Sequence, residues 1–541
     1  MKLPRLIPLT LVVLVLLVSV QHSGFPANTG GVAAATSPLL GSADQPRSVP
    51  RYGIFEPTFN WSGHYRNPWE EVRVTMTLTS PAHVQVSVGG FYYAPGIWKA
   101  RFAPAETGAW SWEAILTDGT HRAEAAGNFT VVDSDWPGFV RPNPTNRFRW
   151  VFDDGTSYNP LGIGDCIAKD LGRWGFDGDF RPPGRHEGWT TDIDTYMAAY
   201  SGAGVNLFRW SVDNCAFGLH QTIAPEGNVY LQEEGLSGDK LVQKLRKYHL
   251  RTYMTIFGFN PPFPHSTTPE QFAAIKRYVK YVVDRYGAYV DFWELMNEAT
   301  VSDQWYTEIA QYLRSIDPYH HPISTSWQQP DLSAIDINSP HWYQKESEFD
   351  SDVVTWQNFN GWKGHNKPVI VGEQGNAEQN WDERSALRMR LRSWTAFFAE
   401  GVLIFWNASF AKDYRNPGAA DIYLGPEERG YLRVLQGFTN NFDPQAVTAA
   451  VELNRPDLVR GYALSAPTTY AAYLHSYTNH RTATVGIKVT VELRAAGKAR
   501  WIEPATGRVL GTACVGSGHQ TLLVPDFVTD IALKVNPEDS Q

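Results

Sequence analysis

The sequence predicts a multidomain α/β plus all-β protein: an N-terminal β-sandwich, a central (β/α)8 TIM barrel and a small C-terminal β-sandwich. Three observations carry that prediction. Apolar and polar residues alternate one by one between Arg51 and Asp133, with no helix-period segment between them. From about 148 to 442, short apolar strands instead alternate with helix-period stretches. From Pro444 onward the strict alternation returns. The 541 residues have room for three such units, since domains run to roughly 100–200 residues each.

At the N-terminus, Lys2 and Arg5 precede an apolar run from Leu6 to Val20. That run is shorter than the about 20 residues a bilayer-spanning helix needs, and it suits a signal-peptide core. Val32-Ala33-Ala34-Ala35 supplies small residues for cleavage, so residues 1–35 are expected to be a signal peptide, with an uncleaved anchor as the alternative. Either way the remainder is expected outside the cytoplasm: secreted, periplasmic or at the cell surface. No later segment is an unbroken apolar run long enough to span a bilayer, so no membrane span is expected in the mature chain. Residues 36–49, rich in Gly, Ala, Ser and Pro, read as a linker.

The first sandwich, Ig-like and spanning 50–134, rests on strands at Val72–Thr79, His83–Val88, Trp98–Phe102, Trp110–Leu116 and Asn128–Val132. Pro137, Pro142 and Pro144 then mark a boundary. The barrel, 140–442, draws on eight strand candidates: Tyr158–Gly164, Val205–Trp210, Arg251–Phe257, Val290–Met296, Pro322–Ser326, Ile335–His341, Val369–Gly372 and Val402–Trp406. Helical stretches at Pro269–Tyr286, Asp303–Ile316, Asp382–Glu400 and Gly430–Phe438 lie between or after them. A doubly wound open sheet is the rival, weakened because no Gly-rich phosphate loop follows the first strand. The last sandwich, 444–537, rests on Tyr470–Leu474, Val485–Leu493, Ala499–Glu503, Thr521–Val524 and Thr529–Val535.

Composition narrows the function. With 47 Lys+Arg against 56 Asp+Glu the formal net charge is −9, which argues against a nucleic-acid partner that needs clustered cations. Three cysteines exclude a disulfide-built scaffold. Twenty Trp, 25 Tyr and 27 Phe are a surplus that suits carbohydrate binding, because an aromatic face matches the C–H face of a pyranose.

Active sites of (β/α)8 barrels lie at the C-terminal strand ends. Strand four ends in Trp293-Glu-Leu-Met-Asn-Glu298 and strand seven in Val369-Ile-Val-Gly-Glu-Gln374, each placing a carboxylate after an apolar run. Two carboxylates about 5–5.5 Å apart are what a retaining glycosidase uses. Two solvated loop carboxylates are the plain alternative. Glu294 shares the parity of Glu298 along its strand and is expected to pair with a cation such as Arg209.

Asn297-Glu298 on strand four with Glu373 on strand seven resembles the clan of retaining (β/α)8 glycosidases that includes the cellulase-like family 5. The resemblance implies Glu298 as acid/base and Glu373 as nucleophile. It extends to Gly204-Val-Asn-Leu-Phe-Arg209, whose Arg209 would reach the nucleophile, and to His341-Trp-Tyr343, whose phenol would bond it. Trp406 at the end of strand eight would floor the subsite for the cleaved sugar. The first sandwich resembles a module of unknown function that often precedes such barrels, and the last resembles the β domain that often trails them. Two departures stand out: strand three, Tyr253–Gly258, supplies no His, and Ala299 follows Asn297-Glu298 where the family pattern has Pro.

The expected function is thus a secreted retaining glycoside hydrolase acting on an oligo- or polysaccharide. A carbohydrate-binding surface protein on a retired barrel is the alternative. No metal-ligand spacing such as His-Glu-x-x-His or Cys-x-x-Cys occurs, so no metal and no cofactor is expected. Cys166 and Cys215 follow strands one and two; a disulfide between them would clamp neighbouring loops, with two free thiols as the alternative.

Overall fold

Eight short parallel strands form the centre of the molecule: β1 (Gly162–Gly164), β2 (Leu207–Ser211), β3 (Arg251–Phe257), β4 (Phe292–Met296), β5 (Ile323–Ser324), β6 (His341–Trp342), β7 (Ile370–Gln374) and β8 (Val402–Trp406). The structure is a computed structural model that describes residues 40–165, 167, 193–213, 217–265, 268–326, 329–344, 346–375, 384–406 and 424–537. Cys166 and Cys215 lie outside the described residues, as do residues 1–39. The strands run 5-4-3-2-1-8-7-6 in one curled sheet, all pairs parallel. At its two edges, Asp336 N and Ile337 N donate to Ile323 O at 2.8 and 3.2 Å. Strands β2, β3, β4 and β7 are buried at every residue, as a parallel sheet covered on both faces requires.

The cover on the outer face is helical: α1 (Ile193–Ser201), α2 (Gln232–Lys247), α3 (Pro269–Tyr286), α4 (Asp303–Ile316), α5 (Ser351–Lys363), α6 (Ser385–Phe398) and α7 (Pro426–Thr439). The start of α3 is fixed by its sequence, because Thr268 Oγ1 accepts from Gln271 N and Pro269 occupies the first turn, where its missing N–H costs nothing. Ser302 caps α4 in the same way, accepting from Trp305 N at 3.2 Å. Between β5 and β6 no helix occurs among the described residues.

Several elements differ from the sequence expectation. The segment 40–49, expected as linker, pairs instead: Leu40–Asp44 runs antiparallel to Thr58–Trp61, and Ser48–Pro50, which begins in that segment, runs parallel to Thr130–Val132. Edge strands need only backbone groups to pair, so a Gly/Ala/Ser/Pro composition conceals them. The proline-rich boundary also contains structure. Val140–Pro142, Trp150–Phe152 and Ser157–Tyr158 form a three-stranded antiparallel sheet. It plugs the N-terminal end of the central sheet, where Val140, Trp150 and Tyr158 share a core with Leu207, Tyr253, Phe292 and Ile370. Trp150 meets Phe292 edge-on at 5.0 Å. The stretch expected as one strand, Tyr158–Gly164, is therefore divided at Pro160, which has no N–H to continue a ladder.

The N-terminal sheet orders Leu40–Asp44, Thr58–Trp61, Ile97–Ala100, Gln85–Ala94, Arg73–Thr79, Gly108–Thr117, Arg122–Val132 and Ser48–Pro50, folding over an aromatic core in which Phe55 stacks on Phe129 at 3.8 Å. It is tied to the central part by Arg101, which donates to Asp239 at 2.8 Å, while Arg285 grips the same carboxylate from α3. At the C-terminal end, a six-stranded sheet (Val447–Ala449, Val459–Ser465, Tyr470–Ser476, Asp530–Asn536, Gly497–Ile502, Val509–Val515) faces a three-stranded one (Glu452–Leu453, Lys488–Leu493, Gly518–Leu523). The strands Val459–Ser465, Tyr470–Ser476 and Asp530–Asn536 of the larger sheet are buried on both faces because their other side packs on α6 and α7, with Tyr473 stacked on Trp394 at 5.5 Å. That explains why α6 is buried along its whole length, with the Arg390 guanidinium donating to both oxygens of Asp530 at 2.9–3.0 Å. No helix among the described residues is long and apolar enough to cross a membrane.

Candidate active site

The polar residues at the C-terminal strand ends converge on one buried guanidinium. Arg209 on β2 is 2 % exposed and donates in three directions: Nε to Glu294 Oε2 at 2.8 Å, Nη1 to Glu373 Oε1 at 2.8 Å, and Nη2 to Asn297 Oδ1 at 2.6 Å. Its planar fork suits that geometry, since three fixed acceptors on β4, just beyond its end, and on β7 can each take a separate N–H. The pairing expected of Glu294 is present; Thr255 Oγ1 on β3 donates to the same Oε2. Burial alone would lower the Arg209 pKa, but the charges of Glu294 and Glu373 outweigh it and hold the cation firmly protonated.

Glu373 owes its place to an irregularity in β7. Val371 pairs with Leu403, yet Gln374 pairs with Phe405, so one extra residue is inserted at Gly372-Glu373. Such a bulge turns a side chain out of strict alternation. Both oxygens of Glu373 are occupied: Oε1 by Arg209 and Oε2 by the phenol of Tyr343. Burial, followed by the neighbouring Glu373 carboxylate, raises the Tyr343 pKa well above its ordinary value, so the phenol remains a donor.

Glu298 follows Asn297 just beyond the end of β4, with φ +45°, in the left-handed region. That costs energy for a non-glycine residue and is held here by Ser326, whose Oγ accepts from Glu298 N at 3.0 Å and donates to Met296 O at 3.0 Å. The Glu298 carboxylate accepts from His341 Nδ1 at 2.7 Å. A carboxylate only accepts, so Nδ1 carries the proton. This hydrogen bond, opposed by partial burial and aided by the charges of His341 and Arg209, lowers the Glu298 pKa below the usual carboxylate range. His341 Nδ1 is also 3.5 Å from Glu373 Oε2, so the imidazole sits between the two carboxylates.

One oxygen each of Glu298 and Glu373 and a nitrogen of His341 lie within 4.8 Å of one another, the one group among the described residues with the spacing of a metal site. The donor set does not fit a cation. Both oxygens of Glu373 already accept hydrogen bonds, the facing His341 nitrogen is protonated, and the Arg209 charge stands 2.8 Å from Glu373.

The site is flanked by Trp406, over which the Arg209 guanidinium lies 5.4 Å from the ring centroid. Trp406 can lie there because β1 carries Gly164 opposite it: a Cβ on Gly164 would meet Trp406 Cε3 at 2.6 Å. Asp213 and Phe259 line a small cleft together with Arg209, Asn297 and Trp406, and Phe259 is 44 % exposed. Glu298, Glu373, Arg209, Asn297, His341, Tyr343 and Trp406 thus come together as one constellation. Thr255, Ser326 and Phe259 escaped the sequence reading; for Thr255 the available signal was its inward parity with Tyr253 on β3. Trp342, one of the aromatics that could have faced a sugar, is 5 % exposed and packs edge-on against Trp362 at 6.1 Å.

Residues 48–117 match a family described as a domain of unknown function, DUF5060. No curated protein matches the chain. Among solved structures, a putative glycoside hydrolase from Bacteroides vulgatus ATCC 8482 is 16 % identical, with a TM-score of 0.64 over 90 % of this chain and 99 % of that one. A GH30 endoxylanase from Clostridium papyrosolvens C71 is 12 % identical with a TM-score of 0.43, over 70 % of this chain and 97 % of its own. Bacteroides uniformis beta-glucuronidase 3 is 10 % identical with a TM-score of 0.38, over 92 % and 74 %. These neighbours are glycoside hydrolases, and the likeness to the first shows that this chain shares its fold.

Proposed function

We propose that the protein is a retaining glycoside hydrolase that cleaves O-glycosidic bonds of an oligo- or polysaccharide through a covalent glycosyl-enzyme, on a curled sheet that closes as a (β/α)8 barrel. The observation that carries the reading is the Glu298/Glu373 pair at the C-terminal ends of β4 and β7, with oxygens inside 4.8 Å. That spacing is shorter than the about 6.5–9.5 Å that separates the carboxyl groups of inverting enzymes, and it supports the retaining arrangement. Glu373, held between Arg209 and Tyr343, attacks the anomeric carbon while Glu298 protonates the leaving oxygen. Glu298 then deprotonates water, which releases the sugar with its configuration retained. A general acid works best with a raised pKa, whereas His341 lowers that of Glu298. A sugar that covers the half-exposed Glu298 removes water from it and pushes its pKa back up.

The likeness to the putative glycoside hydrolase from Bacteroides vulgatus supports the reading. The basic-then-apolar N-terminus of the sequence supports action outside the cytoplasm. Glu298→Gln and Glu373→Gln test the proposal: each should lose most turnover on the glycan the wild-type protein degrades, with unchanged melting. Wild-type rates in either variant would overturn that residue's role.

A further inference from the structure

From the cluster around Glu70 we infer that the N-terminal module of unknown function is a bracket for the active site, and that Glu70 is its positioning residue. Glu70 sits on a short helical turn, Pro68–Glu71, which projects from the sandwich onto the chain that follows β2. There, strands His220–Thr222 and Val229–Tyr230 form a hairpin. Three donors from outside the sandwich meet at a single oxygen, Glu70 Oε1: Asn228 N, the Tyr230 hydroxyl and Arg277 Nε, each at 3.1 Å. Next to it, Asn67 Nδ2 donates to Asn228 O at 2.8 Å, so the turn grips both the N–H and the C=O of one residue. Gly227, at φ +146°, provides the backbone conformation that this approach requires.

A packed path leads from the bracket to the cleft. Trp69 stacks on Tyr230 at 5.7 Å, and Tyr230 stacks on Tyr278 at 6.5 Å. The Tyr278 hydroxyl donates to Val212 O at 3.3 Å, and the next residue, Asp213, lines the cleft beside Arg209, Phe259 and Trp406. Asp213 Oδ2 also accepts from Gly258 N at 3.0 Å, which joins the ends of β2 and β3. The hairpin is anchored at its base by Leu231 N to Leu219 O and Leu219 N to Val212 O. The far end of the hairpin is held by side chains of the sandwich turn, so the sandwich sets where the β2 end of the cleft lies. Burial, and then the Glu70 charge, lifts the Tyr230 pKa, consistent with a hydroxyl that stays a donor.

The activity arm of the test rests on the glycosidase reading; the exchange arm does not. Glu70→Ala and Glu70→Gln are prepared in the full chain. Amide hydrogen exchange over residues 219–231 is measured by mass spectrometry, together with kcat and KM on the dinitrophenyl glycoside that the wild-type protein hydrolyses fastest in a panel. Loss of three hydrogen bonds at one acceptor predicts about tenfold or greater loss of protection in the hairpin of Glu70→Ala, with other segments unchanged. Displacement of the cleft wall predicts on the order of tenfold loss in kcat/KM, carried mainly by KM. Glu70→Gln keeps an acceptor oxygen and should restore most of both. Unchanged hairpin exchange, or exchange raised throughout the chain, overturns the bracket. Turnover of no member of the panel by wild-type protein would count against the glycosidase reading, while the exchange result still decides the bracket.

Discussion

Removing the Arg209 cation by Arg209→Met isolates the electrostatic core of the site. The guanidinium lies within 2.8 Å of both Glu294 and Glu373, and these two carboxylates are 0 % and 4 % exposed. At a charge separation of about 4 Å and an effective dielectric of about 20, each pair is worth roughly 4 kcal/mol before desolvation is subtracted. Methionine fills the volume but leaves both carboxylates buried without a cation, and breaking a buried pair in that manner costs about 3–5 kcal/mol. Urea titration followed by tryptophan fluorescence measures the loss. The double variant Arg209→Met/Glu294→Leu removes one of the stranded charges, so it should regain a large part of that stability. It should not regain activity, because Glu373 still lacks its partner. A single variant within about 1 kcal/mol of wild type, or a double variant no more stable than the single, would refute the reasoning.

The other predictions follow from individual contacts. His341→Ala removes the hydrogen bond that lowers the Glu298 pKa, so the alkaline limb of the kcat/KM profile, which reports a group that must be protonated, should move to higher pH. A limb that stays in place would show that Glu298 is not the acid. Gly164→Ala sets a methyl group 2.6 Å from Trp406 Cε3; overpacking of about 1–3 kcal/mol and a raised KM are expected, read by melting and steady-state kinetics. Asp317 is pushed up by burial but pulled lower still by His321 and by hydrogen bonds from His321 and Tyr319, to a pKa of about 2. With its folded value below the unfolded value of about 3.9, its stabilisation is complete above about pH 4 and disappears as pH falls towards 2. Asp317→Asn should therefore be less stable than wild type at neutral pH, with the gap closing across that window in urea titrations.

Much of the site was legible because its residues stand at strand ends, where an apolar run stops at a carboxylate or an arginine. Glu298, Glu373 and Arg209 announce themselves in this way, and the structure brings them to one point. The aim of Glu373 was not legible, since it depends on an extra residue in β7 that no pattern of apolar positions reveals. The same holds for the plug beneath the sheet: Trp150 and Tyr158 read as ordinary apolar residues, and only tertiary packing shows that they close its N-terminal end. Strands at Leu40–Asp44 and Ser48–Pro50 were hidden for a different reason, because edge pairing uses backbone groups rather than side chains. Strand β6 was anticipated across Ile335–His341, yet regular pairing is confined to His341–Trp342 with one isolated bridge at Asn338. Pro340, which has no N–H to donate, separates the two. The surplus of aromatics pointed to sugars, but most of those rings fill the cores of the sandwiches and the central sheet.

The central claim is that Glu373 forms a bond to the sugar. A panel of dinitrophenyl 2-deoxy-2-fluoro-glycosides should inactivate the protein with at least one member, because the fluorine slows release of the intermediate more than its formation. Peptide mass spectrometry should then place the glycosyl group on Glu373. A label on Glu298 or any other residue, or inactivation without covalent attachment, would contradict the account.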